Sequence, residues 1–84
     1  MKEIINKKMN YLIKLNSDNP RIKGHIFELK MASAQEFDYK KKLDYLKSMD
    51  TENEYIRGQI DALTFLVDLE KEFSKEVKVK RRIK

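Results

Sequence analysis

Cysteine is absent from this chain, which removes both a disulfide framework and a thiolate metal site. Tryptophan is absent too, and there is one proline (Pro20), one histidine (His25) and only two glycines, Gly24 and Gly58. So little turn-forming material leaves few places where the backbone can reverse, which argues against a sheet built from hairpins. Long apolar runs are also missing. The longest, ALTFLVDL at residues 62–69, contains Asp68 and falls well short of the roughly 18–20 residues a membrane span needs. The opening MKEIINKKMNYLIKLNS has lysines spread through it and no continuous apolar segment, unlike a secretory signal. The expectation is a soluble, cytoplasmic protein with no membrane partner.

What is present is charge and helix-forming residues. Of 84 residues, 39% are charged and 40% hydrophobic, and many are Lys, Glu, Leu and Ile. That composition with little Gly or Pro favours long helices. A chain of this length makes one small domain, and a domain of that size hides only about 60–65% of its unfolded surface. The net charge of +5 is unevenly distributed: residues 50–72 carry seven acidic and two basic groups, residues 73–84 one acidic and six basic. An acidic helix therefore leads into a basic tail.

Two segments punctuate the pattern. In NSDNPRIKG (residues 16–24), Asp18 or Asn19 can cap a helix that has Pro20 at its first position. In SMDTENE (residues 48–54), Asp50 or Thr51 can cap, and Thr51 and Glu54 have capping-box spacing. Spacings of three and four between apolar residues then predict three helices, over about 2–16, 20–49 and 51–77. The expected architecture is all-α, a single helical domain over 1–84. In it a long antiparallel αα-hairpin (20–49 and 51–77) is preceded by a short amphipathic helix (2–16) and followed by a basic tail (75–84). Folding the hairpin about residues 49 and 50 sets Leu43 by Ile56, Phe37 by Ala62 and Leu63, Ile26 by Phe73 and Ile22 by Val77. It also sets Gly58 opposite Lys41 and Lys42. Glycine in a helix costs about 1 kcal/mol relative to alanine. Gly58 therefore reads either as a site of close backbone approach, by the first helix or another molecule, or as a tolerated residue near a helix start.

Few residues invite a chemical role. His25 with Glu28 three positions on makes half of a metal site on one helix face, and a di-metal bundle needs a second such motif. An exposed or partly packed histidine is the expected state. Ser17, Ser33, Ser48 and Ser74 stand in no recognisable relation to a base, and no glycine-rich phosphate loop occurs. The expectation is a protein that is not an enzyme, with no cofactor, no metal and no small-molecule substrate.

Binding is the better prospect. In the tail, Lys75, Lys78, Lys80, Arg81, Arg82 and Lys84 are candidates for contacts to phosphates or to an acidic partner. As a helix end, the same lysines would complement the C-terminal dipole. As an extended segment, Val77, Val79 and Ile83 alternate with charge and would suit a neighbour's sheet edge. The aromatics do not share one stripe: Phe37 and Tyr39 project about 200° apart on a helix, as do Phe65 and Val67. A lone hairpin cannot cover both sides, so Phe27, Phe37, Gly58, Phe65 and Val67 are the candidate face for a partner or for self-association.

The stretch EYIRGQIDALTFLVDLEKEF, with Arg57, Gly58, Ile60 and Leu63 after an acidic start at Glu52 and Glu54, resembles small helical-hairpin proteins of tailed bacteriophages. The resemblance covers about residues 22–73. Proteins of that family are usually structural or unassigned and often encoded near head-assembly genes, so the resemblance implies an interaction protein without catalytic residues, in the host cytoplasm or the virion. The Lys-, Asn- and Ile-rich composition suits an AT-rich host or virus. Two readings result: a helical module that oligomerises or docks on a larger protein, and a small basic nucleic-acid-binding protein.

Overall fold

The computed structural model describes residues 2–49 and 52–83, with side chains through residue 73. Four helices are present among them: α1 (Lys2–Lys14), α2 (Pro20–Ala34), α3 (Tyr39–Lys47) and α4 (Glu54–Ile83). The all-α class is as expected. The single helix expected over 20–49 is instead two helices with a break at residues 35–38.

Each boundary has a local cause. Asn16 ends the first segment with φ 47, the left-handed conformation that asparagine tolerates better than most residues. Asn19 caps α2, its Oδ1 accepting the Arg21 N–H at 2.9 Å, with Pro20 in the first turn. At the break, Gln35 is extended, and Asp38 Oδ1 accepts the Lys41 N–H at 3.0 Å to start α3. The break also settles the conflict between Phe37 and Tyr39. Their rings meet edge to face with centroids 4.9 Å apart, Tyr39 buried and Phe37 half-buried. The cap of α4 is Asn53, whose Oδ1 accepts the N–H groups of Tyr55 and Ile56 at 2.9 and 3.3 Å. Glu54 is bonded to Arg57, and Thr51 of the expected capping box lies outside the described residues.

α1 packs on α2, α3 packs on α4, and the two pairs join through α2 and α4. The core is Ile5, Leu29, Ala32, Tyr39, Leu43, Leu46, Ala62, Leu63, Leu66 and Val67. Burying each large member contributes about 1.5–3 kcal/mol.

The central contact explains both glycines. A Cβ on Gly58 would lie 2.7 Å from the carbonyl carbon of Arg21, and one on Gly24 would lie 3.0 Å from that of Tyr55. Each glycine is where the opposite helix backbone passes, so Gly58 permits close approach and its neighbour is α2. The backbone that Gly58 admits is that of α2 and not that of α3, which carries Lys41 and Lys42.

These contacts are reciprocal. Gly58 lies 34 positions after Gly24, and Tyr55 lies 34 after Arg21. The same offset relates Asn19 to Asn53, Ile22 to Ile56, Ile26 to Ile60 and Leu29 to Leu63. It extends to the outer helices, relating Lys7 to Lys41, Lys8 to Lys42, Tyr11 to Tyr45 and Leu12 to Leu46. A fixed period of this size marks a structural repeat. The chain is two helical hairpins, α1–α2 and α3–α4, and exchanging their positions maps the glycine contacts onto each other, as a two-fold relation requires. At the far end the counterparts Glu36 and Glu70 line one hollow with Phe37 and Tyr39, so α2 and α4 run in the same direction.

Candidate interaction surfaces

Of the side chains expected on a partner face, two are used inside the chain. Gly58 is buried against Arg21, and Val67 is 8% exposed in the core. A second hairpin of the same molecule covers what a separate subunit was expected to cover. Phe65 is half-buried, its ring under the Lys8 ammonium at 3.9 Å. Phe27 remains 39% exposed, tilted against Tyr55 with centroids 6.2 Å apart. Phe27 and Phe37 flank one cation, with Lys42 Nζ 5.7 and 5.2 Å from their rings. α4 runs on to Ile83, so the backbone of the basic segment is helical and not extended. The side chains of Lys75, Lys78, Lys80, Arg81 and Arg82, and all of Lys84, lie outside the described residues.

Beneath Lys42 is a feature no sequence pattern announced. Glu28 is fully buried, and its Oε1 accepts Lys42 Nζ at 2.7 Å and Gln59 Nε2 at 3.4 Å. Its repeat counterpart is Ala62, also fully buried. The carboxylate therefore occupies a seam position that the other hairpin fills with a methyl group, and Lys42 on α3 reaches across to neutralise it. The other oxygen, Oε2, has no hydrogen-bond partner among the described residues. Such a pair adds little net stability, but removing one partner leaves an uncompensated buried charge. Its use here is positional: it fixes α3 over the α2–α4 seam.

On the opposite side, Arg21 holds Asp61 with both ends of its fork, Nε to Oδ2 at 2.6 Å and Nη2 to Oδ1 at 3.2 Å. The hydrogen bond and charge of Asp61 raise the Arg21 pKa further above its already high value. The repeat counterparts of Arg21 and Asp61 are Tyr55 and Phe27, so one symmetric position is ionic and the other aromatic. His25 lines the same hollow as Arg21 and Asp61, and its Nε2 is buried without a partner among the described residues. Burial first, then the charge of Lys8, lowers its pKa below the usual 6.5 against the opposing pull of Asp61. Among the described residues no group of three or more His, Cys, Asp or Glu is placed to hold a metal ion. Glu28, three positions after His25, gives its carboxylate to Lys42.

Large apolar side chains left in water are concentrated on the outer helices and their ends: Ile4, Tyr11, Ile13 and Leu15 at α1, Tyr45 and Met49 at α3. No helix among the described residues is long and apolar enough to cross a membrane. No protein-family model, curated protein or solved structure matches the chain.

Proposed function

We propose that this protein is a non-enzymatic assembly module, two fused helical hairpins that dock on a protein partner through their outer helices. One observation carries this reading. The core closes within one chain, yet Tyr11 and Tyr45 remain 63% and 66% exposed, each with a further apolar residue one turn on. Apolar groups that the fold does not need to expose, and that cluster, mark contact surfaces. The resemblance to phage helical-hairpin proteins supports a place in a larger assembly such as a virion. The test is sedimentation of the intact chain at micromolar concentration, alone and with candidate assembly partners. A complex heavier than the 10.1 kDa chain, weakened by Tyr11→Glu with Tyr45→Glu, is the expected result. A well-folded monomer that joins no partner would sink the reading.

A second reading rests on α4, which continues past the repeat to Ile83 and carries five basic residues between 75 and 82. If this segment binds nucleic acid, DNA retardation on a gel falls steeply with salt and is lost when residues 75–84 are removed.

A further inference from the structure

The repeat allows positions to be compared within one molecule. Many shared residues are those the fold demands: the caps Asn19 and Asn53, the crossing glycines, and Leu29 and Leu63 in the core. Exposed positions have mostly drifted, with Ile13 against Lys47, Lys14 against Ser48, Lys30 against Thr64 and Ala34 against Asp68. Lys7 and Lys41, Tyr11 and Tyr45, and Glu36 and Glu70 are exposed and yet identical, and the first two pairs share one face of the outer helices. Leu15 and Met49, four residues beyond each tyrosine, are exposed and keep their bulk. Neither tyrosine makes a side-chain hydrogen bond or ring contact with another described residue.

Charge selects the occupant. α1 carries four lysines against one acidic residue, and α3, with Lys42 tied to buried Glu28 and Lys40 to Asp44, still presents Lys41 and Lys47. Two such helices repel, so a second copy of the same patch is a poor fit, and an acidic surface is a good one. A two-fold relation turns the patches to opposite flanks, so one flat surface cannot engage both. Tyr11 and Tyr45 stand in the last turns of α1 and α3, with Leu15 and Met49 just past the helix ends, an apolar pair along which a partner helix can lie.

We propose that Lys7, Tyr11 and Leu15 form one docking site and Lys41, Tyr45 and Met49 an equivalent second. Each takes an acidic amphipathic helix of a partner protein, so that one chain bridges two partner molecules. This rests on the assembly reading and specifies its stoichiometry.

The probe is a synthetic peptide of about 18 residues, five helical turns, with leucines at i, i+3, i+4 and i+7 and glutamates elsewhere. A peptide of the same composition with scattered leucines is the control. Calorimetry on the intact chain should give two peptides per chain. Tyr11→Ala or Tyr45→Ala should each leave one, and the double variant none, with the helical circular dichroism unchanged. Lys7→Glu and Lys41→Glu should each weaken one site. No binding, or equal binding by the control, would overturn the proposal. A single site untouched by either tyrosine substitution would also overturn it, while leaving the assembly reading in place. Self-association abolished by the double variant would assign the patches to a second copy and overturn it as well. If an oligothymidylate displaces the peptide and shifts both tyrosine resonances, the patches belong to nucleic acid and the protein-docking reading falls too.

Discussion

The two hairpins share a scaffold and differ at their seam. In both, asparagine caps the inner helix, glycine admits the opposite backbone and leucine fills the core five residues later. Where they differ, they differ as partners: Arg21 meets Asp61 while Tyr55 meets Phe27, and buried Glu28 opposes Lys42 while its counterpart is Ala62. Shared residues make each hairpin; unshared ones make the two halves fit each other better than themselves. Pairing two identical first hairpins would set Arg21 against Phe27, and pairing two second hairpins would set Tyr55 against Asp61.

The sharpest test of equivalence lies in the core. Leu29→Ala and Leu63→Ala each delete a fully buried side chain and should each cost about 3–5 kcal/mol by urea denaturation. Costs differing by more than about 2 kcal/mol would break the two-fold picture. Gly24→Ala and Gly58→Ala come next. The added methyl meets backbone, which cannot turn aside as a side chain would, so a loss of roughly 2–3 kcal/mol is expected in both. A gain of about 0.4–1 kcal/mol, the usual benefit of removing glycine from a helix, would show that the close approach is absent.

The lysines measure the asymmetry. Lys42→Ala strands a buried carboxylate and should cost about 2–3 kcal/mol, below the usual range for a broken buried pair because Lys42 is 30% exposed. Lys8→Ala loses only a cation–ring contact and should cost under about 1 kcal/mol. Equal costs would deny Glu28 its role. The smallest effect concerns pH. His25 is harder to protonate in the fold than the usual 6.5. Below that pH the unfolded chain takes up a proton the folded one resists, so stability is full above about pH 6.5 and declines as pH falls. His25→Gln, which copies Gln59, should flatten that decline between pH 7 and 5 in the urea midpoint.

Much of this architecture was legible in the residues. The helical class, a cap at Asp18 or Asn19 ahead of Pro20, and the apolar character of Leu43 and Leu63 follow from spacing and capping chemistry. The break at 35–38 was hidden because it contains neither Gly nor Pro; its one signal was Asp38 three residues before Lys41, a cap within an apparently unbroken stripe. The pairing was harder. Stripes with three- and four-residue spacing match at many registers, so folding about residues 49 and 50 also sets Ile22 and Ile26 against apolar residues, at a level where Arg21 in fact lies against Gly58. The informative pattern was the recurrence of Asn-x-x-Ile-Lys/Arg-Gly-His/Gln-Ile-x-x-Leu, which identifies Gly24 as the counterpart of Gly58. Glu28 could not be placed from sequence, since an acidic residue on a helix ordinarily faces water.

The connector at residues 35–38 has one more consequence. A tether this short holds each hairpin near the other at an effective concentration on the order of millimolar. Seam contacts worth about 7 kcal/mol, an affinity of about 10 micromolar between free pieces, then favour the joined state about a hundredfold. Covalent continuity thus relieves the seam of the need to bind tightly and leaves room for a buried glutamate and a pair of glycines. Cleaved within 35–38, the same two hairpins would come apart at micromolar concentration.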